Sequence, residues 1–180
     1  MSARPGHLVA RFFGSLVPRR VDAFDAAWVA SLLTPPEQGV WAKLGRADQH
    51  EGLAVAQRAD LELDPAIDHH EEYLAAALLH DVGKLDADFG PYRRAVATVA
   101  GAMAGRSTID AWKERRGFVR RCALYLDHAE LGAVRVSVAG GRERVAQWAA
   151  AHHDASAWPT PDIPLDVCRI LAEADGEKLD

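Results

Sequence analysis

A chain of 180 residues with 49% hydrophobic content is long enough to bury one sizeable core and too short for several. Its 26 acidic and 21 basic side chains give a formal net charge of −5, so it lacks the basic footprint with which duplex nucleic-acid binders neutralise phosphates. A local patch for a small phosphorylated ligand is compatible with that balance.

The first twenty residues carry only short apolar runs, broken by Arg11, Gly14 and Pro18. They read as neither a signal peptide nor a membrane span, and a cytoplasmic protein with no membrane partner is expected. Alanine is abundant, β-branched runs are short, and apolar residues recur at helical spacing almost throughout, so an all-α, single-domain helical bundle is predicted. Helices are expected over 7–17, 22–33 and 35–44, the last opened by Pro35 and Pro36. Further helices should cover 47–60, a stretch from just after Pro65 to a stop at Gly83, 91–104, 109–115, 117–138, 142–153 and 164–178. Residues 139–141 and 156–164 are the clearest breaks. Residues 1–34 form an N-terminal helical extension to a core of 35–180, either capping the bundle or making a homodimer contact. Cys122 and Cys168 sit in apolar helical patterns, away from metal or disulfide spacings, and are expected as buried thiols.

The stretch AAALLHDVGK, 75–84, runs an apolar helix straight into His80 and Asp81. Ionisable groups at the end of a buried segment cost several kcal/mol, roughly, unless paired or bound to a cation. Other histidines follow at wide intervals: His50 before the pair, then His128, then His152 with His153, and Asp175 near the end. None forms a short local motif, but a helical bundle can bring such side chains to one cation. Imidazole and carboxylate without thiolate suit iron, manganese, zinc or nickel. A carboxylate such as Asp81 can bridge two ions, and two ions roughly 3.5 to 4 Å apart suit phosphate ester hydrolysis.

Taken together, LLHDVGK, the upstream His50, His128, the pair at 152 and 153, and the AEAD that ends at Asp175 resemble the HD-domain superfamily of metal-dependent phosphohydrolases over roughly residues 35–178. The resemblance implies an all-helical fold in which His50, His80, Asp81 and Asp175 hold one metal. Asp81 would bridge to a second, completed by His128, His152 and His153, as in the binuclear branch. The implied cofactors are two divalent metal ions, iron or manganese first, with zinc, nickel or magnesium as alternatives. Lys84 matches the lysine of the HDxGK form, and with Asp81 it makes the implied catalytic pair, its ammonium beside an anionic substrate. HHDASAWP lacks the GYP signature of the cyclic-di-GMP phosphodiesterase branch, so that substrate is not implied. Arg46 stands where three-metal members place a glutamate, which argues against a third ion.

The expected activity is therefore hydrolysis of a small phosphate ester, such as a nucleotide, by metal-activated water. The alternative is a mixed-valence diiron oxygenase, since the same ligand set resembles that of inositol-cleaving oxygenases. A non-catalytic ligand sensor is a third reading. His69 and His70 fall at a polar helix start and read as surface residues. Trp158, beyond the paired histidines, is the one tryptophan placed to line a pocket.

Overall fold

A computed structural model of the chain describes residues 20–176 other than 88, 90 and 105. The helix expected over 7–17 lies outside the described residues. Among those described, the chain forms α1 (Ala23–Leu32), α2 (Pro35–Trp41), α3 (Arg46–Glu62), α4 (His70–Leu79), α5 (Pro91–Met103), α6 (Arg106–Lys113), α7 (Gly117–Leu126), α8 (His128–Ala139), α9 (Glu143–Ala151) and α10 (Leu165–Asp175). Short 3-10 turns cover Val82–Asp86 and Ala155–Ala157. The architecture is all-α, and an isolated bridge between Thr160 and Ile163 is the only β pairing among the described residues. No described helix is long and apolar enough to cross a membrane.

The most apolar run of the sequence becomes the centre of the fold. From Tyr73 to Leu79 every residue of α4 is buried, which is why it shows no polar face. Its leucines, Leu74, Leu78 and Leu79, each contribute about 2 kcal/mol of burial. Helices α1, α3, α9 and α10 pack around it, and α10 also packs on α3. Val29, Leu32 and Leu33 join the same core as Leu53, Val55, Trp148 and Leu171, so the first described helix shares one interior with the rest. A smaller cluster of Ala87, Phe89, Ala97 and Cys122 lies under α5 and α7. Both cysteines are buried and free.

Several boundaries differ from the sequence reading, and those beside the candidate site shape it. Helix α4 starts at His70 rather than just after Pro65, because Asp64 Oδ1 accepts the Ala66 N–H (2.9 Å) and holds the preceding residues in a turn. The stretch 117–138 is two helices, broken at Asp127, whose φ of −100° and ψ of 15° leave the helical region. The chain leaves α4 at Leu79, so Gly83 is not the end of a long helix but part of the 3-10 turn that follows. There it meets the first turn of α8 so closely that an added Cβ would lie 1.8 Å from the His128 carbonyl oxygen and 2.6 Å from the Gly132 nitrogen. Only glycine permits that approach. Gly52 does the same between α3 and α4, where a Cβ would lie 2.5 Å from the Leu78 carbonyl oxygen.

Candidate metal centre

The close approach at Gly83 presses the turn carrying His80 and Asp81 against the start of α8, where the break at Asp127 makes His128 the first helical residue. Helix α9 stops at Ala151, leaving His152 and His153 in a turn, so adjacent side chains that a continuing helix would splay by about 100° can face one centre. Asp81, His128, His152 and His153 each place a ligand atom within 4.8 Å of the others. The His128 and His153 rings lie 5.2 Å apart, and those of His152 and His153 4.0 Å apart.

The two oxygens of Asp81 face different neighbours. Oδ1 is 3.1 Å from His128 Nε2 and 3.7 Å from His152 Nε2. Oδ2 is 3.4 Å from His80 Nε2, which is itself 3.3 Å from Asp175 Oδ1. Lys84 Nζ also donates to Oδ2. His50 stands half-buried near the start of α3, on a helix that packs against both α4 and α10, but it is not among the four clustered residues. Thus His128, His152 and His153 cluster with Asp81, His80 lies against its other oxygen, Asp175 lies against His80, and His50 sits on a neighbouring helix.

The histidines are aimed by one repeated device. His80, His128 and His152 each donate Nδ1–H to the carbonyl three residues earlier, on Ala77 (2.8 Å), Tyr125 (2.8 Å) and Ala149 (2.9 Å). Since a carbonyl only accepts, Nδ1 holds the ring proton whenever the imidazole is neutral, and Nε2 is then the atom left to bind a cation. All three Nε2 atoms and Asp81 Oδ1 are buried with no hydrogen-bond partner. Leaving four such atoms unsatisfied costs about 1 to 3 kcal/mol each. A cation among them removes that cost, and the backbone-oriented imidazoles are the arrangement that metal-binding histidines adopt.

Electrostatics divide the two sets. Burial, with further repulsion from His80 and His153, outweighs the attraction of Asp81 and pushes His152 down to about 4, so it is neutral and its Nε2 is available. Burial would also depress His80, but the charges of Asp81 and Asp175 reverse this and raise it to about 10. Burial opposes ionisation of Asp81 too, yet His80, His128 and His152 hold it well below the usual carboxylate range. Asp175 is likewise lowered, chiefly by His80 against the cost of burial.

Two neighbours escaped the sequence reading. Tyr125 stacks on His128 with ring centroids 5.8 Å apart and 26° between planes, besides accepting its Nδ1–H. Glu51 adds negative charge near Lys84, supporting its ammonium behind the larger effect of Asp81 and against burial. Neither carries a motif, although the three-residue interval from Tyr125 to His128 is the same one that aims His80 and His152.

The other candidates have structural duties. His69 Nδ1 is 3.3 Å from Glu72 Oε1 and His70 Nε2 is 3.4 Å from Asp60 Oδ1, both at the entry to α4. Trp158 donates Nε1–H to the Ala151 carbonyl (2.8 Å) and packs on Trp148, so it finishes α9. A buried His/Asp cluster able to hold a metal ion, in an all-helical chain, is compatible with an HD-type domain. Compared with known proteins, the chain matches no family model, no curated protein and no solved structure.

Proposed function

We propose that the chain is an HD-type, metal-dependent phosphohydrolase acting on a small phosphate ester such as a nucleotide. The observation that carries this reading is the convergence of the bare Nε2 atoms of His128 and His152 on Asp81 Oδ1, buried and without another partner. In it, Asp81, His128, His152 and His153 would hold one divalent ion, and His80, Asp175 and Asp81, with His50 from α3, would hold a second. Ions bound there supply Lewis acidity, acidifying water and polarising a phosphoryl oxygen.

The remaining work falls to the chain itself. The carbonyls of Ala77, Tyr125 and Ala149 fix the imidazoles before any ligand arrives, so little reorganisation is needed on binding. Burial of His80, His152 and Asp81 keeps bulk water from the inner side of the cluster, which strengthens every charge interaction there. Lys84, partly exposed beside Asp81, supplies the positive charge that a substrate phosphoryl group would face. Its ammonium is kept protonated by Asp81 despite burial.

The test is hydrolysis of a panel of nucleotides and an aryl phosphodiester by protein loaded with manganese or iron(II), beside Asp81→Asn. Hydrolysis that requires the metal, read as phosphate from the nucleotides or as the aryl alcohol from the diester, and that falls by at least about a hundredfold in the variant supports the proposal. A loaded protein that binds metal through Asp81 yet hydrolyses nothing, and instead consumes oxygen with a coupled-iron EPR signal, would replace hydrolysis with the oxygenase reading.

A further inference from the structure

Lys84 pairs with the oxygen of Asp81 that the His80 and Asp175 side of the cluster would use. Its Nζ donates to Asp81 Oδ2, the oxygen that faces His80 and, through it, Asp175. The oxygen on the other side, Oδ1, is buried without a hydrogen-bond partner and faces the Nε2 atoms of His128 and His152, which are buried and unpartnered as well. One carboxylate therefore presents a bare face and a face already neutralised by a side chain of the same turn, since Lys84 is three residues from Asp81.

From this asymmetry we infer that Lys84 gates the second half of the metal centre: the Asp81/His128/His152/His153 set binds one divalent ion strongly, whereas the Asp81/His80/Asp175 set binds an ion weakly, in competition with the Lys84 ammonium for Asp81 Oδ2. This inference rests on the metal-binding part of the proposed function and concerns how that centre is loaded. The physical reason is direct. An ion entering the second set would have to displace the Lys84 ammonium from Oδ2 as well as the His80 proton, and would then lie near that positive charge, whereas no side-chain ammonium pairs with Oδ1. The displaced ammonium has somewhere to go, because Glu51 supplies a second negative charge in its surroundings. The same movement would leave Lys84 directed away from Asp81, as its role toward an anionic substrate requires. Loading of the second ion and exposure of the substrate-facing charge become one event.

Isothermal titration of the chelator-stripped chain with cobalt(II), followed also by the visible absorption of the bound ion, tests this against Lys84→Met and Lys84→Arg. Expected are one tight ion in the wild type, with a second at least about tenfold weaker. Lys84→Met should tighten the second ion by about tenfold or more and leave the first unchanged, and Lys84→Arg should behave as the wild type. Circular dichroism of each variant shows whether the helical fold is kept, and Lys84→Gln repeats the neutral case should the methionine variant unfold. Two ions of equal affinity in the wild type, or a second-ion affinity that is the same in the neutral variants, overturns the gate while leaving the metal centre standing. Absence of any bound ion in the wild type overturns the gate and the metal-dependent function together.

Discussion

His80 and His152 have ring centroids 5.2 Å apart, yet their surroundings drive them to opposite protonation states. The difference lies in which carboxylate oxygens each faces. His152 meets one oxygen of Asp81 at 3.7 Å in a setting dominated by burial, whereas His80 lies between Asp81 and Asp175 at 3.4 and 3.3 Å. The metal-free chain thus carries a proton on His80 at neutral pH, and an ion entering there must expel it. Titrating manganese at pH 8 in buffers of different ionisation enthalpy should register about one proton released per chain on full loading, and the release should vanish in His80→Gln. Proton release that is indifferent to His80 would mean that the ion enters elsewhere. The same residue sets a pH limit on the stripped protein. His80 is raised from 6.5 to about 10, so its contribution to stability is complete below pH 6.5 and is lost as pH rises through about 10. Urea unfolding of chelated wild type should weaken across that alkaline window, with a shallower slope for His80→Gln.

At the scale of elements, the site depends on two backbones touching. Gly83→Ala would put a methyl group 1.8 Å from the His128 carbonyl oxygen, and the turn or α8 must retreat. The expected cost is about 3 kcal/mol, the upper part of the range for overpacking, read as a lowered urea midpoint with unchanged slope. Because the same movement separates Asp81 from His128, metal affinity should fall with it. A Gly83→Ala protein with wild-type stability and affinity would show that this contact does not position the centre. Much of this was legible in the sequence: the apolar run of 73–79 reads as a buried helix and is one, and Asp81, His128, His152 and His153 of the motif do come together. What could not be read was how the elements end. A glycine after an apolar helix has the same local signature whether it caps that helix or admits a neighbouring backbone, and the break at Asp127 has no glycine or proline to announce it. For His50, helical spacing gives a face but not the distance to a centre assembled from other helices.

A second element-scale device holds α9, and so His152, in place. Glu37 is fully buried in α2, and its carboxylate accepts from the Arg142 backbone N–H (2.9 Å), Nε (2.9 Å) and Nη2 (2.6 Å), just before α9 begins. It also accepts the Thr34 N–H (2.9 Å). Burial alone would raise the Glu37 pKa, but these donors and the guanidinium charge bring it below its ordinary 4.5. A lowered pKa means that the stabilisation is fully present above pH 4.5 and is lost as pH falls through the folded value. Glu37→Gln should cost about 3 kcal/mol at pH 7, as expected when one partner of a buried ion pair is removed. Its stability should then change less than the wild type's between pH 5 and 3. Parallel acid limbs for the two proteins would show that Glu37 is not ionised in the fold.

At the scale of the whole molecule, the centre joins parts of the chain that hydrophobic packing alone leaves as separate helices. Its candidate ligands come from the turn after α4, the start of α8, the turn after α9 and the last residue of α10. None of these sets exists in an unfolded chain, so an ion that binds them adds its binding free energy to folding. At a hundredfold excess over its dissociation constant, an ion should stabilise the fold by about 2.7 kcal/mol, which for a chain of this size raises the melting temperature by roughly 5 to 10 °C. The donor chemistry sets which ions do so: imidazole and carboxylate favour manganese, iron, zinc or cobalt, whereas calcium prefers an all-oxygen shell of six to eight ligands and should give little shift. Melting curves with each ion, before and after chelator, measure this directly. Asp81→Asn makes the contrast decisive, because the amide keeps the shape of the side chain while losing its charge. Without the ion that variant should retain its helical signal, and its melting temperature should be insensitive to manganese. A manganese shift of equal size in Asp81→Asn would move the ion away from the buried centre, since Asp81 is the residue that faces His80 on one oxygen and His128 and His152 on the other.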